Sequence, residues 1–241
     1  MGYILAFFRL LAFLLISFSA AVLIFFTRLF RMGNSAAFFF FRMAIASIRK
    51  TLNIRVNYSG DVPNQRVIIM ANHRSYIDIV LIPSRIPYVI VAKKQVKSWP
   101  VVGFAAQAIK VIFVDRDSPA SRRKTRNEIV SRINQGLSVL IYPEGTTFEG
   151  PGILPLKPGI FKTASAEAIP VLPVAIEYRN KEMAWTGDDT FIPHFFQSFR
   201  HWRIDVQVSF GDLIAPEDPE IMQKTCFDWI DQRTKFLAQT G

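Results

Sequence analysis

Cysteine is nearly absent from the chain: Cys226 is the single example, so the fold holds neither an internal disulfide nor a thiolate zinc cluster. Histidine is almost as scarce, and of the three, His194 and His201 lie far from His73 with no ligand spacing, which argues against a metal site. Acidic residues are outnumbered, 19 Asp+Glu against 29 Lys+Arg, leaving a formal charge of +10. Such an excess favours anionic partners, whether nucleic acid, anionic lipid head groups or an acidic carrier. No G-x-S-x-G turn is present and Cys226 falls within a helical pattern, so no residue stands out as a covalent nucleophile. Internal repeats, low-complexity linkers and recognisable nucleic-acid modules are also missing. At 241 residues the chain is long enough for one α/β domain with a substantial core.

What the sequence has in excess is apolar surface at its start. Half of its 22 phenylalanines lie in the first 41 residues, which tilts the basic composition toward a membrane surface and away from nucleic acid. Leu10 to Thr27 is a run of 18 residues without a charge, "LLAFLLISFSAAVLIFFT". As a helix it covers about 27 Å, just short of a hydrocarbon core of about 30 Å. A cleaved signal peptide fits poorly, because Arg28 and Arg31 follow directly and no small-x-small site intervenes. The second run, Ala36 to Ile48, is too short to span and carries Arg42 at its centre. As a helix it gathers Phe38, Phe41, Ile45 and Ile48 on one side, which is the pattern of an interfacial helix at head-group depth. Residues 1–50 are therefore expected to be membrane-associating helices, and residues 51–241 the main domain. If the first run crosses the bilayer, Arg28, Arg31, Arg49 and Lys50 place that domain on the cytoplasmic side.

Beyond Thr51 the pattern changes to short apolar runs separated by helical stretches. The segments 66–70, 88–92, 111–115, 138–143, 171–178 and 203–210 read as strands, several of them buried on both faces. "SPASRRKTRNEIVSRINQG" is a punctuated helix, with Ser118 as cap, Pro119 at its first position and Gly136 at its end. Another helix follows Lys157, and "PEIMQKTCFDWIDQRTKFLAQ" closes the chain. Residues 180–195 show no strong period and read as a loop or lid. The expected fold is α/β: a mixed, largely parallel central sheet flanked by helices and preceded by the membrane-binding helices.

Ligands in such sheets gather where strands give way to loops, and polar residues stand at those points. His73 and Asp78 follow the first core strand, Lys93 the next, Arg116 the "VIFVD" strand, and Glu144, Gly145 and Thr146 the "SVLIYP" strand. An imidazole steered by a carboxylate takes a proton from a hydroxyl, a step typically worth about 10²–10⁴-fold. Arg116 and Lys93 suit a phosphate, and the Glu-Gly-Thr turn suits polyol hydroxyls or a developing oxyanion. The basic run "SRRKTR" (121–126) reads as a solvated face or as a patch for anionic lipid or an acidic acyl carrier protein. A catalytically silent lipid-binding protein on the same scaffold is the alternative from another class, and the intact His73–Asp78 pair speaks against it.

"NHRSYID", "VIFVDR", "YPEGTT" and "VLPVAI", in this order, resemble the PlsC-like glycerolipid acyltransferases, the 1-acylglycerol-3-phosphate O-acyltransferase family. The resemblance covers roughly residues 55 to 210 and extends to the N-terminal helices. It implies His73 as general base with Asp78 as its partner, without a covalent acyl-enzyme or a cofactor. The acyl group would come from acyl-coenzyme A or acyl carrier protein, and the acceptor would be a lysolipid, foremost 1-acylglycerol-3-phosphate, at an anionic membrane surface. It further implies Arg116 and Lys93 on the acceptor's phosphate, and Glu144, Gly145 and Thr146 shaping the acceptor turn. Lys157 and Gly159 match a Lys-x-Gly that often follows, and Pro173 the fourth block. One departure matters: the third block commonly reads Glu-Gly-Thr-Arg, and Thr147 stands in the Arg position. The loss of that cation keeps a lyso-aminolipid or another lysophospholipid open as the acceptor.

Overall fold

In the computed structural model, which describes residues 1–83, 87–187 and 189–240 without the side chains of Arg28 and Asn34, the expected mixed α/β fold is present. The seven strands are β1 (Ile54–Ser59), β2 (Ile68–Ala71), β3 (Tyr88–Lys93), β4 (Ile112–Val114), β5 (Ser138–Ile141), β6 (Val171–Tyr178) and β7 (Ile204–Phe210). They form one sheet in the order β1-β7-β6-β2-β5-β3-β4. Every neighbouring pair is parallel except β6 and β7. Six of the strands fall on the expected apolar runs. The seventh, β1, was not expected: it is an edge strand with one buried residue, Ile54, and so lacks the continuous apolar signal of the central strands.

Side-chain alternation divides the core into two layers. Ile69, Ala71, Tyr88, Ile90, Leu140, Leu172, Val174 and Ile176 point to one face of the sheet. Helices α1 (Gly2–Leu29), α2 (Gly33–Thr51) and α6 (Phe191–Phe199) cover that face, with Phe13, Ile45, Ile48, Phe195 and Phe199 as the packing residues. Ile68, Met70, Val89, Val91, Val139 and Val171 point the other way, under α4 (Pro119–Asn134), α5 (Gly159–Ala166) and α7 (Pro219–Thr240). Helix α4 begins as its punctuation predicts: Pro119 opens it and the Ser118 hydroxyl accepts from the Ser121 N–H at 3.2 Å, a cap worth about 1 kcal/mol.

Two expectations change. The stripe Phe38, Phe41, Ile45 and Ile48 of α2, read as a lipid-facing surface, packs against the sheet and α1 instead; burying each Ile contributes roughly 1.5–3 kcal/mol. The stretch 180–195, read as a loop or lid, contains a 3₁₀ turn (Lys181–Met183) and the first turn of α6, while Asp188 lies outside the described residues. In α6, Phe191, Phe195 and Phe199 recur every four residues and the last two are buried, but the element is only nine residues long.

Helix α1 is packed along its whole length. Ala6, Arg9, Leu10, Phe13, Ser17, Ala20, Ala21, Ile24 and Thr27 are buried at the spacing of one helical face. Arg9, 4% exposed, donates to the carbonyl oxygens of Phe199 (2.9 Å), His201 (2.5 Å) and Trp202 (2.7 Å), where α6 turns toward β7. The opposite face of α1 exposes Tyr3, Ile4, Phe7, Phe8, Leu11, Leu15 and Phe18, continuing into Phe25, Phe26 and Phe30. An apolar strip of that extent is rare on a freely soluble monomer.

Candidate active site

The parallel strands β4, β3, β5, β2 and β6 all end on the same rim, so residues far apart in sequence meet there. Past β2, Ser75 precedes the 3₁₀ turn Tyr76–Val80, and its backbone N–H draws the Asp78 carboxylate back under His73. The Asp78 carboxylate is fully buried. Its Oδ2 accepts from the backbone N–H of Arg74 (2.8 Å) and Ser75 (3.0 Å) and lies 2.8 Å from His73 Nδ1. Its Oδ1 accepts from the Tyr178 hydroxyl at 2.7 Å. Because Oδ2 already acts as an acceptor for two N–H groups, the proton of the imidazole belongs on Nδ1. Nε2 is thereby left with its lone pair, on a side chain that is 16% exposed. The imidazole also stacks on the Tyr142 ring, with centroids 4.0 Å apart and planes at 15°. Burial, and then the nearby Asp78 charge, push the phenols of Tyr142 and Tyr178 well above their ordinary value, so both stay protonated.

His73 opens onto a cavity of about 530 Å³, within the size range of small-molecule sites. One end lies between α1, α2 and α3 (Val102–Ala108) and is apolar, with Ala21, Ile24, Phe41, Ile45, Ala106 and Ile109 on its walls. The other end is polar and aromatic. Lys93, Arg116, Thr146 and Thr147 reach it from the strand ends, and Trp99, Trp185, Asp189 and Phe191 from the segments that lead into α3 and α6. Lys93 is exposed and has no carboxylate partner among the described residues. Arg116 is half-buried and donates to the Gly145 carbonyl; burial lowers its pKa from the ordinary arginine value.

Glu144 is placed differently from the expectation. It is 3% exposed and absent from the cavity wall, and both carboxylate oxygens are engaged by the backbone. Oε1 accepts from the His73 N–H at 2.7 Å and Oε2 from the Leu154 N–H at 2.8 Å. Burial raises its pKa, while those two bonds oppose the rise. The side chain thus fixes the backbone that carries the imidazole and does not line the cavity. Gly145 also lies off the wall; its φ of +80° supplies the left-handed turn after Glu144.

Several participants carried no signal in the sequence. Tyr178 meets Asp78 across 100 positions, and Arg74 meets Glu177 across 103. Arg74, 1% exposed, holds Glu177 Oε2 at 2.8 Å and the carbonyls of Phe148 and Gly152 at 2.9 Å each, clamping the 148–152 loop to β6. Asn72 pairs both amide atoms with the Ile176 backbone and so extends the β2–β6 ladder past its last residue. Trp99 and Trp185 belong to no catalytic motif, and only their convergence on the cavity marks them. Cys226 lies inside α7, where burial pushes its thiol up to about 12, and takes no part in the site. No cluster of metal-ligating side chains occurs among the described residues.

Residues 53–177 match the family model described as Acyltransferase. Lyso-ornithine lipid O-acyltransferase of Rhizobium meliloti is 33% identical over 183 residues, 68% of this chain and 62% of that protein. 1-acyl-sn-glycerol-3-phosphate acyltransferase of Neisseria gonorrhoeae is 32% identical over 129 residues, 54% of this chain and 49% of that protein. The matches thus span about half to two thirds of these curated relatives. The crystal structure of the 1-acyl-sn-glycerophosphate acyltransferase PlsC from Thermotoga maritima superposes with a TM-score of 0.69 at 20% identity. That likeness covers 98% of this chain and 94% of the other, so the shared fold takes in the N-terminal helices as well. On the matched residues, just over half of its length, the chain belongs to the acyltransferase family.

Proposed function

We propose that the protein is a membrane-associated O-acyltransferase that moves an acyl group from a thioester donor to the free hydroxyl of a lysolipid, and that its preferred acceptor is a lyso-aminolipid. The observation that carries the reaction is the buried Asp78 holding His73 at 2.8 Å with its second nitrogen toward the cavity. His73 Nε2 takes the acceptor's hydroxyl proton as that oxygen attacks the thioester carbonyl carbon. The tetrahedral intermediate then collapses, the C–S bond breaks, and the departing thiolate of coenzyme A or acyl carrier protein takes the proton from the imidazolium. Asp78 stabilises the imidazolium in between. The apolar end of the cavity suits an acyl chain, and no enzyme-bound acyl intermediate is needed.

The acceptor reading rests on Thr147, which stands where the family commonly has Arg, and on the similarity to lyso-ornithine lipid acyltransferases. 1-Acylglycerol-3-phosphate is the second reading, favoured by Lys93 and Arg116 on the cavity wall. The exposed apolar face of α1 rests in one leaflet. Because the other face is packed against the domain from Ala6 to Thr27, the helix lies on the membrane as part of the domain and does not cross alone. Residues 1–50 supply this anchorage, and Arg31, Arg49 and Lys50 favour the anionic lipid of the cytoplasmic leaflet.

A panel of lysolipid acceptors with one labelled acyl thioester tests the proposal. Lyso-ornithine lipid is expected to be acylated with the highest kcat/KM. Clear superiority of 1-acylglycerol-3-phosphate transfers the assignment to the second reading, and no transfer to any lysolipid removes the enzyme reading.

A further inference from the structure

The polar end of the cavity is lined by groups of opposite charge. Lys93 and Arg116 come from strand ends, whereas the segment before α6 contributes Trp185 and Asp189, and the segment before α3 contributes Trp99. Asp189 is the one carboxylate among the described lining residues. It is exposed and has no cationic partner among the described residues, and its Oδ2 accepts from the Thr186 N–H at 3.2 Å. The Trp99 and Trp185 rings lie 5.6 Å apart, Tyr76 is 5.1 Å from Trp185, and Phe191 is 5.4 Å from Trp99.

This wall is built and held. The Trp185 N–H donates to the Arg74 carbonyl at 2.8 Å, its indole N–H to the Asp189 carbonyl at 2.7 Å, and the Thr147 hydroxyl to the Trp185 carbonyl. Thr147 therefore contributes more than the loss of a cation: it ties an aromatic and acidic wall to the Glu-Gly-Thr turn. A carboxylate in the mouth repels a phosphate dianion, so the arrangement works against that acceptor. Aromatic faces beside an unpaired carboxylate suit an ammonium group, which the ring quadrupoles and the acid attract together.

We infer that Trp99, Trp185 and Asp189 form a subsite for the ammonium group of the acceptor, in the same cavity as Lys93 and Arg116, which receive its anionic group. The inference rests on the acyltransferase reading and its lyso-aminolipid acceptor. It explains why cations and an acid share one mouth: a zwitterionic head group matches both charges, and a purely anionic one matches only the cations.

The test compares lyso-ornithine lipid with its N-acetylated derivative, in which the ammonium has become a neutral amide, using the full chain in mixed micelles. Wild type is expected to favour the free amine by about tenfold or more in kcat/KM. Asp189→Asn and Trp99→Leu are each expected to raise KM for the free amine about three- to tenfold and bring the ratio between the two acceptors close to one. Asp189→Asn is also expected to increase turnover of 1-acylglycerol-3-phosphate, a gain that a merely structural role for Asp189 does not produce. Equal use of both acceptors by wild type, or an unchanged ratio in both variants, overturns the subsite while leaving the lyso-aminolipid reading intact. Failure of wild type to acylate lyso-ornithine lipid, with activity on 1-acylglycerol-3-phosphate, overturns the acceptor reading and the subsite together.

Discussion

Replacing Asp78 by Asn separates the charge of that residue from its hydrogen bonds. The carboxylate takes four: from His73 Nδ1, the Arg74 and Ser75 N–H groups, and the Tyr178 hydroxyl. An asparagine with its oxygen in the Oδ2 position keeps the first three. Its amide then faces Tyr178, whose hydroxyl rotates to accept. All four contacts survive, so the stability cost is confined to lost charge assistance, about 1 kcal/mol, or roughly 2–4 °C in Tm for a chain of this size. Catalysis loses far more. The imidazolium formed as His73 takes the proton has no counter-charge. The expected fall in kcat is about 10²–10⁴-fold, equivalent to roughly 3–5 kcal/mol of barrier. Thioester consumption with a lysolipid acceptor, read beside thermal unfolding of the same preparation, supplies both numbers. A variant within tenfold of wild-type kcat at near-wild-type Tm refutes the role given to the Asp78 charge.

Glu144→Gln leaves one acceptor oxygen for two backbone donors, stranding the buried N–H of either His73 or Leu154 at a cost of about 1–3 kcal/mol. The expected outcome is a Tm lowered by several degrees and a reduced kcat with little change in acceptor KM; a selective rise in KM indicates that Glu144 touches the acceptor after all. His194, 3% exposed beneath Trp185 and Tyr76, has its pKa lowered from 6.5 by burial, so it folds in the neutral form. Its contribution is present above that ordinary value and is lost as pH falls through it toward the depressed one. Thermal unfolding across this window is expected to show wild type losing more stability than His194→Gln; parallel curves refute the assignment.

The sheet was legible because its central strands are buried on both faces and announce themselves as continuous apolar runs. β1, with a single buried side chain, gives no such run, and α6 is one turn too short to show its period. The base and its acid were legible because five residues of chain close on themselves through one 3₁₀ turn. Glu144 was legible as a site residue, but its direction was not: whether a strand-end carboxylate points outward or back to a neighbouring strand depends on the β2–β5 register. Tyr178, Arg74 and the two tryptophans were invisible for a related reason. Their partners come from other strands or from distant segments that line the same cavity, and no local spacing records such a meeting.

His73→Ala tests the central claim most directly, with acyl transfer from a labelled thioester to lyso-ornithine lipid and to 1-acylglycerol-3-phosphate measured on full chain that sediments with vesicles as wild type does. Loss of transfer to both acceptors by at least about 10²-fold, with membrane binding and Tm retained, is the predicted result. Substantial turnover of either acceptor by the folded variant contradicts a mechanism in which this imidazole removes the hydroxyl proton.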